Sequence, residues 1–195
     1  MAVLPEVFHP GLYTTSPHLA DMINSLGIRE NDRVLDLGTG SGIGAVFSAQ
    51  FTKHVVAVDI NPNAVRCAKI NALINGYEER ISVRLGNLFE PVRDEVFDLI
   101  FFNPPFYLGK PKNWHETAFK GGDYPDHICH TFLRDAPKHL ASDGKIHILW
   151  SSIADYPGLD EEIKENGLET AKITLKDTIT EVIQIYELRH QKKQK

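Results

Sequence analysis

The sequence predicts an α/β domain, a doubly wound and mostly parallel sheet with helices on both faces. Three observations carry this expectation. Short runs rich in β-branched and aromatic residues alternate with helix-length stretches, which is the pattern of strand–helix–strand units. The first run ends in a glycine-rich turn that opens a helix. One run, Phe97–Phe102 (FDLIFF), is apolar almost throughout, as befits a strand buried on both faces.

The elements follow in order. Arg33–Leu37 (RVLDL) reads as the first strand, and after the glycine turn an apolar helix runs to about residue 50. Residues 54–60 (HVVAVDI) form the second strand. Asn61 is placed to cap the next helix with Pro62 at its first position, and Gly76 is placed to end it. Ile81–Leu85 alternates as a third strand, and Phe97–Phe102 is the fourth. A loop up to Tyr124 comes next. A loop of that length is functional or disordered, and this one is expected to be poorly ordered without substrate; the alternative is a surface loop with a single packed Trp. A helix is expected over residues 125–140, a strand over 145–150 and a helix over 158–166. Runs at 170–176 and 181–188 read as an antiparallel hairpin.

The chain has 195 residues, 42% hydrophobic and 24% charged, ordinary values for a globular protein. The formal net charge of −5 weighs against long nucleic acid held by the overall field. It leaves room for a local basic patch such as residues 189–195 (RHQKKQK), which also reads as a solvated end. No apolar run approaches the length of a membrane span, and the N-terminus lacks the pattern of a signal peptide. Cys67 and Cys129 form no CxxC pair, so neither a disulfide framework nor a cysteine zinc site is expected, and a reducing cytoplasm is the default location. His127, Cys129 and His130 are too few for a zinc site, and no metal is expected.

The first turn reads Asp36-Leu37-Gly38-Thr39-Gly40-Ser41-Gly42. Glycines let the backbone turn tightly and approach a ligand, and the helix N-terminus beyond adds free N–H groups. A dinucleotide fingerprint needs glycine where Ile43 stands, so that class fails. Asp36 suits a cationic ligand rather than a pyrophosphate. Asp59 ends the second strand, where a carboxylate can accept both hydroxyls of a ribose; the alternative is a helix cap, but Asn61 fills that place better. Asn87 is placed to meet an adenine amino group, or is a turn residue.

The fourth strand runs into Asn103-Pro104-Pro105-Phe106, at the sheet edge where ligands bind. Two prolines remove two N–H donors, leaving the Pro104 carbonyl and the Asn103 side-chain oxygen as acceptors. Two acceptors can hold an –NH2 group, and Phe106 can stack on a planar substrate. A bland reading is a Pro-Pro turn that ends a strand. The geometry suits methyl transfer to a planar nitrogen, whose delocalised lone pair needs orientation rather than an ionised base.

The run LDLGTGSG resembles the first motif of S-adenosylmethionine-dependent methyltransferases, and residues 5–152 resemble the small-domain N-methyltransferases that carry NPPY or NPPF. That group includes release-factor glutamine methyltransferases, ribosomal RNA guanine methyltransferases and adenine amino-group methyltransferases. The resemblance implies a seven-stranded Rossmann-like sheet with a reversed last strand. It implies S-adenosylmethionine at Asp36, Gly38, Gly40 and Asp59, and substrate geometry at Asn103, Pro104, Pro105 and Phe106. Phe106 stands where the glutamine enzymes more often have Tyr. Lys120-Gly121-Gly122-Asp123 resembles a glycine pair of the glutamine enzymes, and the length resembles their compact form without an added helical domain. The segment from Val7 to Ser16, with Thr15, resembles the element that closes over the cofactor, or is a turn opening a helix. The expected layout over 1–195 is one domain: a closing segment at 1–32, a core at 33–152, and a helix and hairpin at 153–195. Trp114, His115 and Glu116 in the long loop are candidates for substrate contact.

A glutamine amide of a protein such as a release factor is the leading acceptor. An amino nitrogen of RNA, DNA or a small molecule is the alternative. A non-catalytic methyltransferase-like subunit is disfavoured because both motifs are intact. The implied partners are a protein substrate or RNA, and no membrane, with the need for an activating subunit left open.

Overall fold

The computed structural model describes residues 1–8, 21–124, 126–154, 156, 158–177 and 182–192. Seven strands form one sheet in the order β3-β2-β1-β4-β5-β7-β6. They are β1 (Arg33–Leu37), β2 (His54–Asp59), β3 (Ile81–Leu85), β4 (Phe97–Phe102), β5 (Leu140–Ser151), β6 (Leu168–Asp177) and β7 (Val182–His190). The first five run parallel, and β7 pairs antiparallel with both β5 and β6. The seven-stranded, largely parallel architecture with the terminal antiparallel hairpin is as the sequence predicts.

Alternation along the strands divides the core between two faces. Leu35, Leu37, Val56, Val58, Ile100 and Phe102 point to one side, with Phe132, Leu133, Ile163 and Trp150. Val34, Val55, Ala57, Leu99 and Phe101 point to the other, with Ile23, Ala45, Ala49 and Ile185. Both faces are covered, which explains why Phe97–Phe102 carries almost no polar residue.

The Pro62–Ile74 helix starts and stops where the local chemistry says it should. Asn61 accepts from the Asn63 N–H at 2.9 Å, Pro62 lies in the first turn, and Gly76 takes up φ 72° beyond the end. Such a cap contributes about 1 kcal/mol. The helix expected over 125–140 is shorter, Ile128–Asp135, followed by a 3₁₀ turn over Ala136–His139. Pro137 lacks the N–H that would continue the α ladder, so the helix tightens and ends there. Leu140 then enters β5, which begins earlier than the expected residue 145, because buried Leu140 pairs with Phe97 across a register shift.

The segment after β4 is not a bare loop. Tyr107 N–H donates to the Phe119 carbonyl and Gly121 N–H to the Tyr107 carbonyl, each at 3.0 Å, while Gly109 and Gly122 exchange bonds at 3.1 and 3.2 Å. Between these bridges the Trp114–Thr117 helix is capped by Asn113. Among the described residues no helix is long and apolar enough to cross a membrane.

Candidate active site

The strand order reverses between β1 and β4, and the C-terminal ends of β1 to β4 open onto one cavity. Asp36, Gly38, Gly40, Asp59 and Asn87 all line it, as does Asn103. The sequence-predicted residues of the glycine turn, the second strand and the fourth strand are thus brought together. Thr15 lies outside the described residues.

Asp36 braces the turn. Its Oδ2 accepts from the Thr39 hydroxyl at 2.7 Å and from the Ala45 N–H at 2.8 Å. Gly44 packs so closely that a side-chain carbon there would stand 2.8 Å from the carboxylate. Gly40 adopts φ 55°, which turns its N–H onto Asp59 Oδ2 at 2.8 Å. The other Asp59 oxygen accepts from the Asn61 N–H at 2.9 Å. A carboxylate has about four acceptor positions, so these two bonds fix Asp59 and leave capacity for two ligand hydroxyls. Burial raises the pKa of Asp36 to about 6, opposed by its two hydrogen bonds and reinforced by the negative charge of Asp59. Burial likewise raises Asp59. Two desolvated carboxylates in one cavity favour a cationic ligand.

The N-terminal segment, expected from the sequence to close over the cofactor, is tethered to the wall by side chains that sequence reading did not pick out. Asn71 is fully buried on the Pro62–Ile74 helix, and its amide donates to the Ala2 carbonyl at 2.7 Å and to the Ser41 carbonyl at 2.8 Å. Its Oδ1 accepts from the Ala2 N–H at 2.7 Å. One side chain therefore ties the N-terminal segment to the glycine turn. Asn61 repeats this with a 2.8 Å bond to the Glu6 carbonyl. Glu6, Val7 and Phe8 consequently line the cavity.

Two non-glycine residues among those described have positive φ, Glu6 at 62° and Leu88 at 44°, and both lie on this wall. Each conformation costs on the order of 1–3 kcal/mol, and such strain gathers at functional sites.

Just beyond the end of β4, Asn103 Oδ1 is buried with no hydrogen-bond partner among the described residues. Pro105 also lines the cavity and Pro104 is buried. Phe106 sits behind this wall: its ring meets Tyr107 edge-on at 5.3 Å and tilts against Trp150 at 6.2 Å. The aromatic side chains that line the cavity besides the β4 phenylalanines are Phe8 and Trp114. Of the other loop candidates, Glu116 pairs with Lys120 at 3.0 Å and His115 packs on Phe119, so neither joins Trp114 on the wall. Phe8 also meets Phe119 at 5.8 Å, joining the N-terminal segment to the loop after β4.

The methyltransferase small domain profile matches residues 16–184. The chain belongs to the methyltransferase small domain family. This methyltransferase is 32% identical over 166 residues to a chain of Methanocaldococcus jannaschii provisionally named protein N5-glutamine methyltransferase, covering 83% of each. It is 38% identical over 127 residues to the ribosomal protein uL3 glutamine methyltransferase of Bradyrhizobium diazoefficiens, covering 58% of this chain but 39% of that enzyme. Against the tRNA1(Val) (adenine(37)-N6)-methyltransferase of Actinobacillus pleuropneumoniae it is 31% identical, covering 75% of this chain and 62% of the relative. The chain thus spans well under two thirds of the length of several relatives. Its fold is shared with the Mtq2–Trm112 complex of E. cuniculi, at TM-score 0.72 and 20% identity, covering 95% of this chain and 99% of that one. The ribosomal protein L11 methylase of Lactobacillus delbrueckii matches at TM-score 0.68 and 24% identity, covering 94% and 82%. The methyltransferase is a class I, Rossmann-like enzyme of this family.

Proposed function

We propose that the chain transfers a methyl group from S-adenosylmethionine to a planar nitrogen, the side-chain amide of a glutamine in a protein such as a release factor. The observation that carries this reading is Asn103. A buried carbonyl oxygen without a partner is costly, so it is kept where a ligand supplies the donor. Asn103 stands at the cavity wall between the buried carboxylates and the loop after β4, and an –NH2 group is the donor that its position and the two neighbouring prolines suit.

The residues fit the cofactor. Asp59 is fixed by backbone N–H groups with acceptor capacity left for ribose hydroxyls, and Asp36 gives the cationic end a counter-charge. Asn87, exposed on the same wall, is placed for the adenine edge. The glycine turn leaves room for close approach. When bound, the cofactor supplies an electrophilic methyl on a sulfonium centre. Asn103 holds the acceptor N–H groups and fixes the direction of the nitrogen, Pro104 and Pro105 keep competing donors out, and the apolar walls from Phe101, Phe102 and Trp114 limit water. The names of the relatives support the acceptor class: the M. jannaschii relative carries the glutamine name and matches over 83% of its length.

A second reading, an amino nitrogen of an RNA base, is favoured by Trp114. It is 38% exposed on the cavity wall, where a ring can stack on a base. The Trm112 chain in the E. cuniculi complex supports testing the enzyme with and without a partner subunit.

The experiment is labelled methyl transfer into separate protein and RNA pools, with wild type and Asn103→Ala. Label in protein glutamine, cofactor affinity unchanged by the substitution and transfer reduced about a hundredfold or more is the expected result. Label confined to RNA replaces the acceptor, and full transfer by Asn103→Ala overturns the role of Asn103.

A further inference from the structure

Behind the Asn103–Phe106 turn lies a buried polar and aromatic cluster that the proposed chemistry does not use. His127 is wholly buried and caps the Ile128–Asp135 helix, its Nδ1 accepting from the Cys129 N–H at 3.2 Å. A nitrogen that accepts leaves the ring proton on the other one, so Nε2 carries the hydrogen in the neutral imidazole. The ring lies 4.7 Å from that of Tyr156, whose hydroxyl donates to buried Glu162, and Glu162 also meets His130. His127 is therefore clamped on two sides, by a helix start and by a side chain anchored to the Leu159–Glu165 helix.

Its third side faces the active site. A side-chain carbon on Gly121 would overlap His127 Nε2 and stand 2.7 Å from the Pro105 carbonyl oxygen. The imidazole and the Pro105 carbonyl thus close on the same point, and only a residue without a side chain passes between them. Gly121 is itself held in place, donating to the Tyr107 carbonyl at 3.0 Å and accepting from the Ile128 N–H at 2.8 Å. The turn needs such outside support, because Pro104 and Pro105 have no N–H with which to anchor it.

We propose that His127 is a positioning residue for methyl transfer: through Gly121 it wedges the Pro105 carbonyl, and so sets the direction in which Asn103 meets the acceptor nitrogen. This rests on the reading of Asn103 as the acceptor-holding group. The consequence is specific. Loosening the wedge lets the turn rotate while the cofactor half of the cavity, built from β1, β2 and the glycine turn, stays as it is. Misorientation at the reacting centre lowers turnover more than it lowers binding.

The test uses His127→Asn, which keeps an acceptor for the Cys129 N–H and so keeps the helix cap, and Gly121→Ala, which crowds the same point from the other side. Three readouts are taken on each full-length variant: cofactor affinity by calorimetry, kcat and KM for the acceptor that the wild type methylates, and amide exchange at Phe106 and Tyr107. The expected result is unchanged cofactor affinity, acceptor KM within twofold, kcat down tenfold or more, and faster exchange confined to Phe106 and Tyr107. Wild-type kcat and exchange in a folded His127→Asn variant overturn the wedge. So does loss spread equally over cofactor affinity, KM and kcat, which marks a general structural role. If His127→Asn does not fold, Gly121→Ala decides by the same criteria. The exchange readout needs no turnover. If wild type methylates neither protein nor RNA while both variants free Phe106 and Tyr107, the proposed function fails and the wedge stands.

Discussion

At the residue scale, charge burial decides what the carboxylate-lined half of the cavity prefers. Asp36 is held at a pKa of about 6 chiefly because it is taken out of water. A cation arriving beside it favours the ionised form, so binding is expected to expel the proton that Asp36 carries at and below that pH. Affinity for S-adenosylmethionine should therefore fall as pH drops through 6, and calorimetry at pH 6 in buffers of different ionisation enthalpy should register proton release that vanishes in Asp36→Asn. The residues themselves were legible in the sequence, since Asp36, Asp59 and Asn103 sit at strand ends next to recognisable turns. Their internal partners were not. That Asp36 spends both bonds of Oδ2 on Thr39 and Ala45 depends on how the turn closes in space, and the seating of Phe106 against Trp150 depends on β5 being its neighbour.

At the element scale, the Pro62–Ile74 helix does two jobs. Its apolar residues pack on the sheet, and Asn71 on it holds Ala2 and Ser41 together. Asn71→Ala removes a buried amide and leaves the Ala2 and Ser41 carbonyls without that donor. A loss of about 1–3 kcal/mol in urea unfolding is expected, together with weaker cofactor binding, because Glu6, Val7 and Phe8 on the tethered segment line the cavity. Weakened stability with unchanged cofactor affinity would show that the tether serves the fold alone. Helix ends were legible where a side chain caps, as at Asn61, and shifted where proline broke the ladder, as at Pro137. The bridges that give the segment after β4 its shape join Tyr107 to residues 119 and 121 through backbone groups, which carry no side-chain signal.

At the scale of the whole molecule, two buried groups titrate against each other. His147 on β5 lies stacked on Phe101, and burial lowers its pKa to about 4 from 6.5. Its unfolded form takes up a proton first, so this residue costs stability as pH falls from about 6.5 towards 4. Asp36 has the opposite sign. Its folded pKa is raised, so the folded state holds the proton more tightly, and its contribution is present at low pH and lost as pH rises from 3.8 through about 6. Between pH 4 and 6.5 these two contributions to melting temperature oppose each other. Relative to wild type, His147→Gln should gain melting temperature as pH falls from 6.5 to 4, and Asp36→Asn should lose it. The alternation of strands and helices made the sheet and its terminal hairpin legible, while the placement of β7 against β5 needed the structure. The strained backbone at Glu6 and Leu88 has a meaning for how the chain evolves. Selection for folding alone pulls position 6 towards glycine or asparagine, the residues that relax there, whereas at position 88 the same relaxation would empty a buried place in the core. A lineage that keeps a carboxylate at position 6 is therefore being filtered on the cavity, and a lineage released from catalysis records that release there before its core changes.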